Sequence, residues 1–81
     1  MVAAARYYEQ QQTGLGMSFR VAVERGLEQI IAFPLSGIEF ESNYRRHALR
    51  QFPYHILYRV DAETLTVVSV VNQRRRPRRG Q

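Results

Sequence analysis

The sequence predicts an α+β fold in which a helical hairpin packs on a three-stranded antiparallel sheet. In the first half of the chain, apolar residues recur at helical spacing. In the second half, three runs are rich in aromatic and β-branched residues, as strands are. The connections between these runs are short, which makes neighbouring strands antiparallel. At 81 residues the chain has room for one domain. We expect that domain over residues 1–77, followed by a basic tail over residues 78–81.

Two helices are predicted before the sheet. Residues 3–12 contain good helix formers and neither glycine nor proline. A helix this short needs a docking surface, and the glycines at 14 and 16 supply a turn after it. The second helix covers residues 17–33 and ends before Pro34. Gly26 lies in the middle of this helix, which indicates close packing against another element. The apolar face of the second helix consists of Phe19, Val23, Leu27, Ile30 and Ile31.

The rest of the chain predicts a loop and three strands. Residues 35–43 show neither helical nor strand periodicity, so we expect a loop there. The predicted strands are residues 44–51, 54–60 and 65–71. In the middle strand, the two-residue period places Tyr58 on the core face and His55 on the other face. Tyr58 is therefore expected to be a packed aromatic residue and not a catalytic phenol.

The last predicted strand is apolar on both faces, which is typical of a central strand. Both upstream elements are predicted to be helices, so no predicted strand is left to pair with the second edge of this last strand. Folded proteins usually cover such an edge. We expect another chain to do so, either a further copy in a homo-oligomer or a different protein.

Composition excludes several classes of protein. The chain has no cysteine, so it holds neither a disulfide framework nor a thiolate metal site. Two histidines alone cannot build a structural zinc site, and we expect no metal and no cofactor. The longest apolar run, residues 65–71, is far shorter than a membrane span, and the first residues do not resemble a signal peptide. We therefore expect a cytoplasmic protein that does not bind membranes.

Positive charge is concentrated in the second half of the chain. Residues 1–44 hold three arginines and five glutamates, a net charge of −2, whereas residues 45–81 hold nine arginines and two acidic residues, a net charge of +7. All twelve basic residues are arginine, which we interpret as a coding bias of a GC-rich genome. The uneven charge indicates one basic surface that faces an acidic partner.

Six short segments follow one another along the chain, at residues 5–9, 14–19, 45–46, 52–54, 58–60 and 74–77. As an ordered set that covers nearly the whole chain, they resemble the RelE/ParE toxin superfamily of plasmid stabilisation proteins. The Phe-Pro-Tyr segment before an apolar strand and the terminal Arg-Arg-x-Pro resemble the ParE-like branch more closely than the RelE-like branch.

The chain also departs from the family pattern. Family members usually open with a strand that precedes the first helix, and this chain begins where that strand would end. That strand is the natural partner for the open edge, so we expect a toxin lacking its N-terminal strand, through a late or misassigned start or gene decay. In addition, Asn72 stands where similar proteins commonly have histidine, and the last residues lack the usual aromatic.

The resemblance implies a type II toxin-antitoxin toxin that arrests bacterial growth. ParE-like toxins bind DNA gyrase and trap it on DNA, so they need no catalytic residues, whereas RelE-like toxins cleave messenger RNA on the ribosome without a metal. We expect the ParE-like activity, with a cognate antitoxin as partner, and keep the RelE-like endonuclease as the alternative. His47, His55 and Arg50 are the candidate catalytic residues for that alternative. The residues expected to bind target or antitoxin are Arg45, Arg46, Arg50, Arg74, Arg75 and Arg76.

Two further interpretations remain open at this point. The high net charge is also typical of a basic nucleic-acid-binding module without toxin activity. That module usually carries a recognition helix, and neither predicted helix is basic along one face. A decayed, inactive remnant of a toxin is the other interpretation, and the short N-terminus favours it.

Overall fold

The computed structural model describes residues 2–73 and confirms the α+β fold. Two helices lie on an antiparallel sheet of four strands, with the strands in the order β1-β2-β3-β4. The elements are α1 Val2–Gln11, α2 Leu15–Ala32, a 3₁₀ turn Pro34–Ser36, β1 Ile38–Glu41, β2 Tyr44–Ala48, β3 Tyr54–Val60 and β4 Leu65–Asn72.

The helical hairpin is closed by Glu9 and two glycines. The Glu9 carboxylate accepts hydrogen bonds from the backbone amides of Gly14 and Gly16, at 3.1 Å each. Gly14 has φ of +91°, a left-handed conformation that favours glycine. At Gly16 a Cβ atom would lie 2.7 Å from the carbonyl oxygen of Ala5, so only glycine allows this close approach. The hairpin therefore depends on side-chain capping and on small residues at the turn.

The sequence predicted three strands, and the structure has four. The segment expected to be a loop, residues 35–43, contains β1, which pairs with β2 in antiparallel register. All four residues of β1 are exposed, and its register with β2 shifts between Glu39 and Glu41. None of its side chains reaches the core, so apolar burial, the signal that marks the other strands, is missing from this segment.

Two other strand predictions also change. The predicted strand over residues 44–51 ends at Ala48, and Gln51 adopts a positive φ of 72° in the connection that follows. The last strand, expected to be central, lies at the edge of the sheet. Among residues 2–73, β4 pairs only with β3, and an extra residue, Val68, forms a bulge opposite Tyr58.

The core lies between α2 and the middle of the sheet. Phe19, Ile30, Ile56 and Tyr58 are completely buried. Burying a large apolar side chain of this kind stabilises the fold by about 1.5–3 kcal/mol. The close packing predicted at Gly26 is confirmed, since a Cβ there would lie 2.9 Å from Cδ1 of Ile56. Tyr8, Phe52 and Tyr54 extend this core with ring contacts to one another or to Phe19.

Candidate functional site

The sheet has a helix-covered face and an open face, and the strand register assigns the basic residues to them. Arg45 lies opposite Tyr58, and His47 lies opposite Ile56, so both belong to the helix-covered face. Arg46 lies opposite Leu57 on the open face. The structure therefore separates Arg45 from Arg46, which the sequence analysis had placed in one binding surface.

The guanidinium group of Arg45 is bound within the protein by two hydrogen bonds and an ion pair. Its Nη1 donates hydrogen bonds to the carbonyl oxygens of Leu35, at 3.2 Å, and Gly37, at 2.8 Å. Its Nη2 lies 3.6 Å from Oε1 of Glu39. Only 19% of the Arg45 side chain is exposed, whereas Glu39 is largely exposed. These contacts tie β2 to β1 and to the segment before it, so Arg45 has a structural role.

Two arginine–aromatic pairs form one corner of the open face. The guanidinium carbon of Arg46 lies 5.9 Å from the centre of the Phe40 ring, and that of Arg59 lies 5.9 Å from the Tyr44 ring. The two rings are 6.2 Å apart. Such cation–π pairs contribute about 0.5–1 kcal/mol at exposed sites and hold the guanidinium groups in place. We call these four residues the Arg–aromatic corner.

Arg59 has an acidic neighbour, whereas Arg46 is exposed. The Nε of Arg59 donates a hydrogen bond to Oδ2 of Asp61, at 3.1 Å. A hydrogen bond with Tyr44 and the charge of Asp61 raise the pKa of Arg59. The Asp61 carboxylate neutralises part of the charge at this corner. In the Arg–aromatic corner, Arg46 is thus the arginine whose guanidinium group a partner can contact.

Sequence reasoning missed part of this corner. By the two-residue period Arg59 shares a face with His55, but it is not among the predicted site residues. Phe40 lay in a segment expected to be a loop, and only the pairing of β1 with β2 brings it beside Arg46. The alternation of apolar and acidic residues in Ile38–Glu41 was the available signal.

His55 lies on the open face but is buried. Its exposed fraction is 8%, and among the described residues its Nε2 has no hydrogen-bond partner. Burial and then the charge of Arg46 lower its pKa. The imidazole is therefore neutral near pH 7 and its Nε2 is shielded from solvent.

His47 and Arg50 line an open groove beside α2. The groove has a volume of about 1380 Å³ and runs between α2 and the end of β2 with the residues that follow it. Burial lowers the pKa of His47. Arg50 is exposed, and Arg25 of α2 lines the same groove. The apolar lining residues include Met17, Val21, Ala22, Ala32, Phe33 and Leu49.

The candidate residues Arg74, Arg75 and Arg76 lie outside the described residues. Within residues 2–73, no helix is long and apolar enough to cross a membrane. The same part of the chain contains no group of three or more histidine or acidic side chains that could hold a metal ion. The arrangement offers an open face with an exposed arginine, Arg46, and a largely apolar groove with charged residues, both suited to contact with macromolecules.

A comparison with protein families gives one match over nearly the whole chain. The family model for the ParE toxin of the type II toxin-antitoxin system, parDE, matches residues 2–77. No curated protein and no solved structure shows a significant match to the chain.

Proposed function

The chain belongs to the ParE toxin family of type II toxin-antitoxin systems, and we propose from this that it arrests bacterial growth by binding and inhibiting DNA gyrase. In this proposal the toxin acts in the cytoplasm, where gyrase and DNA are found. The family also implies a cognate antitoxin as partner.

The observation that supports inhibition by contact is the placement of the two histidines. A ribonuclease needs a proton acceptor and a proton donor within reach of the substrate. Nε2 of His55 is shielded from solvent and has no described partner, while His47 lies on the opposite face of the sheet from Arg46. The two imidazoles therefore cannot act together on one phosphate. A binding surface has no such requirement.

We propose that the target contacts the open face and the end of the sheet beside it. Arg46 is exposed there, and its position is held by Phe40. Arg74, Arg75 and Arg76 lie outside the described residues, and we propose them as further target contacts from their charge alone. Arg45, which we had expected at this surface, supports β1 from the other face.

We propose the groove beside α2 as the binding site of the antitoxin. Its apolar lining suits the apolar side of an amphipathic segment. Arg25 and Arg50 would meet acidic side chains on that segment, which gives fast and salt-sensitive association.

Induced expression in a bacterial host tests the proposed target. We expect growth arrest, loss of negative supercoiling in a reporter plasmid and gyrase-linked DNA breaks. The variant Arg46→Ala should weaken all three effects, whereas Arg20→Ala, at an exposed position of α2, should not. Arrest with ribosome-dependent cleavage of messenger RNA and unchanged supercoiling would establish the endonuclease alternative instead. Binding to duplex DNA without arrest would establish a nucleic-acid-binding module.

A further inference from the structure

The imidazole of His47 lies in the lining of the groove beside α2 and packs against that helix. A Cβ atom at Gly26 would lie 3.4 Å from Cδ2 of His47, so the ring lies directly on the α2 backbone. His47 is half-buried, and its cross-strand neighbour Ile56 is completely buried. The helix and the sheet therefore hold the ring at a defined place in the groove.

The imidazole nitrogens of His47 are available to a bound molecule. Among residues 2–73, the side chain makes neither a hydrogen bond nor an ion pair. Burial lowers its pKa, so the ring is neutral near pH 7. A neutral imidazole has one donor and one acceptor nitrogen. In a largely apolar lining, His47 is thus a polar group that a partner can bind.

The charges of the groove favour a negatively charged partner. The lining contains Arg25 and Arg50 and one acidic residue, Glu28. Two positive charges against one negative give a net charge of +1 while His47 is neutral, and +2 once it is protonated. Within the described part of the chain, none of these three residues forms an ion pair. An acidic segment would therefore meet unpaired arginines on both sides of the groove.

The other polar groups on this face of the sheet are engaged elsewhere. Arg45, two residues before His47, forms an ion pair with Glu39. On β3, the hydroxyl of Tyr58 is hydrogen-bonded within the protein, and the ring of Tyr54 packs against the core. The negative charge that would keep a proton on His47 therefore has to come from a partner.

We propose that the acidic segment that binds this groove places a carboxylate on His47, and that binding is coupled to the uptake of a proton by the imidazole. This inference rests on the proposed role of the groove as the antitoxin site. The neutral ring takes the proton from solvent, and the N–H so formed donates to a carboxylate oxygen of the partner. The apolar lining strengthens this pair because it excludes water. His47 thus makes the groove selective for an acidic amphipathic segment over a purely apolar one.

Proton NMR of the complex tests the contact directly, because the chain has only two histidines and they lie on opposite faces of the sheet. The probe is the cognate antitoxin, taken as the product of the neighbouring gene that restores growth on co-expression. Binding should raise the pKa of His47 and leave that of His55 as it is in the free protein. An unchanged or lower pKa of His47 in the complex would overturn the proposal.

The affinity should depend on pH in a direction that follows from proton uptake. Between about pH 7.5 and about pH 6, Kd should fall about fivefold to tenfold, because carboxylates with a pKa near about 4 stay ionised. His47→Gln, which is neutral throughout, should lose most of this dependence, whereas His55→Gln should keep it. Thermal unfolding at each pH identifies any loss of fold. The same dependence in His47→Gln as in the natural chain would count against the proton contact.

A matched pair of variants separates failure of the groove from failure of the His47 contact. Met17 and Ile38 are both apolar and are 61% and 63% exposed, but only Met17 lines the groove. Met17→Asp should weaken binding at every pH, and Ile38→Asp should not. If Met17→Asp binds as tightly as the natural chain, the antitoxin binds elsewhere and both proposals fall. If Met17→Asp weakens binding while the pKa of His47 does not rise, the groove stands and only the proton contact falls.

Discussion

The hydroxyl of Tyr58 accepts a hydrogen bond from the backbone amide of Gly37, at 3.0 Å, inside the protein. The same hydroxyl donates to the carbonyl oxygen of Pro34, at 2.8 Å. Tyr58 belongs to β3, and the other two residues belong to the segment between α2 and β1. One phenol thus fixes the segment that starts β1, and β1 in turn supplies Phe40 to the Arg–aromatic corner.

Removing that hydroxyl should lower the stability of the protein. Tyr58→Phe leaves the buried Gly37 amide without its partner, which costs about 1–3 kcal/mol in the free energy of unfolding. Urea unfolding measures the change. Tyr7→Phe is the control, because Tyr7 is 55% exposed and its hydroxyl should contribute little. Equal stability of the two variants would show that the Tyr58 hydroxyl bonds do not hold this segment.

Gly37 should tolerate no side chain, for reasons of space and not of backbone conformation. Its φ of −73° and ψ of 160° are extended and open to any residue. A Cβ atom at this position, however, would overlap the Tyr58 hydroxyl and lie 2.9 Å from the carbonyl oxygen of Arg46. Gly37→Ala should therefore destabilise the protein by about 1–3 kcal/mol.

A double-mutant cycle separates this overlap from other effects of the alanine. In the Tyr58→Phe background the hydroxyl is absent, so Gly37→Ala should cost less than in the natural chain. Unfolding free energies of the four chains give the coupling directly. Strictly additive changes would contradict a direct clash between residues 37 and 58.

Sequence periodicity predicts the elements that have a buried apolar face and fails for β1, whose alternation covers only four residues. α2 and β3 have strong apolar faces, and the sequence places them within two residues of their observed bounds. β1 has no buried residue, so its position follows from Tyr58, Arg45 and pairing with β2, which are contacts between distant parts of the chain. The same limit applies to the site. Alternation separates Arg46 from His47, but only the register of β1 places Phe40 under Arg46.

Glu9 should stabilise the turn between the helices. Its carboxylate accepts hydrogen bonds from the amides of Gly14 and Gly16 near the start of α2, where a negative charge is also favourable. Glu9→Ala should lower the unfolding free energy by about 0.5–2 kcal/mol, as loss of a helix cap does. Glu24→Ala, at an exposed position of α2, removes a carboxylate without a cap and should have little effect. A similar loss in both variants would indicate a general effect of charge.

Stability should decrease as the pH falls through the histidine range. Burial lowers the pKa of both His47 and His55 below the ordinary value of 6.5, and Arg46 lowers that of His55 further. The unfolded chain therefore binds protons before the folded protein does. The stability is fully present above the unfolded pKa of 6.5 and is lost as the pH falls toward the folded values.

Unfolding measured from about pH 7.5 down to about pH 5.5 should show this slope. The variant His47→Gln/His55→Gln should have a flatter profile over that range, whatever its absolute stability. An identical slope in the double variant would assign the pH dependence to other groups.

Arg45 and Arg46 are neighbours in sequence and should give opposite phenotypes. Arg45→Ala removes hydrogen bonds to two carbonyl oxygens and the ion pair with Glu39, so it should destabilise the fold by about 1–3 kcal/mol. Arg46 is exposed, and among the described residues its alanine variant loses the contact with Phe40, about 0.5–1 kcal/mol. If the open face binds the target, Arg46→Ala should reduce growth arrest at normal protein levels. Arg45→Ala should reduce it only as far as it lowers the amount of folded protein. Growth assays paired with immunoblots and unfolding curves separate the two cases, and equal specific toxicity of Arg46→Ala and the natural chain would remove Arg46 from the binding surface.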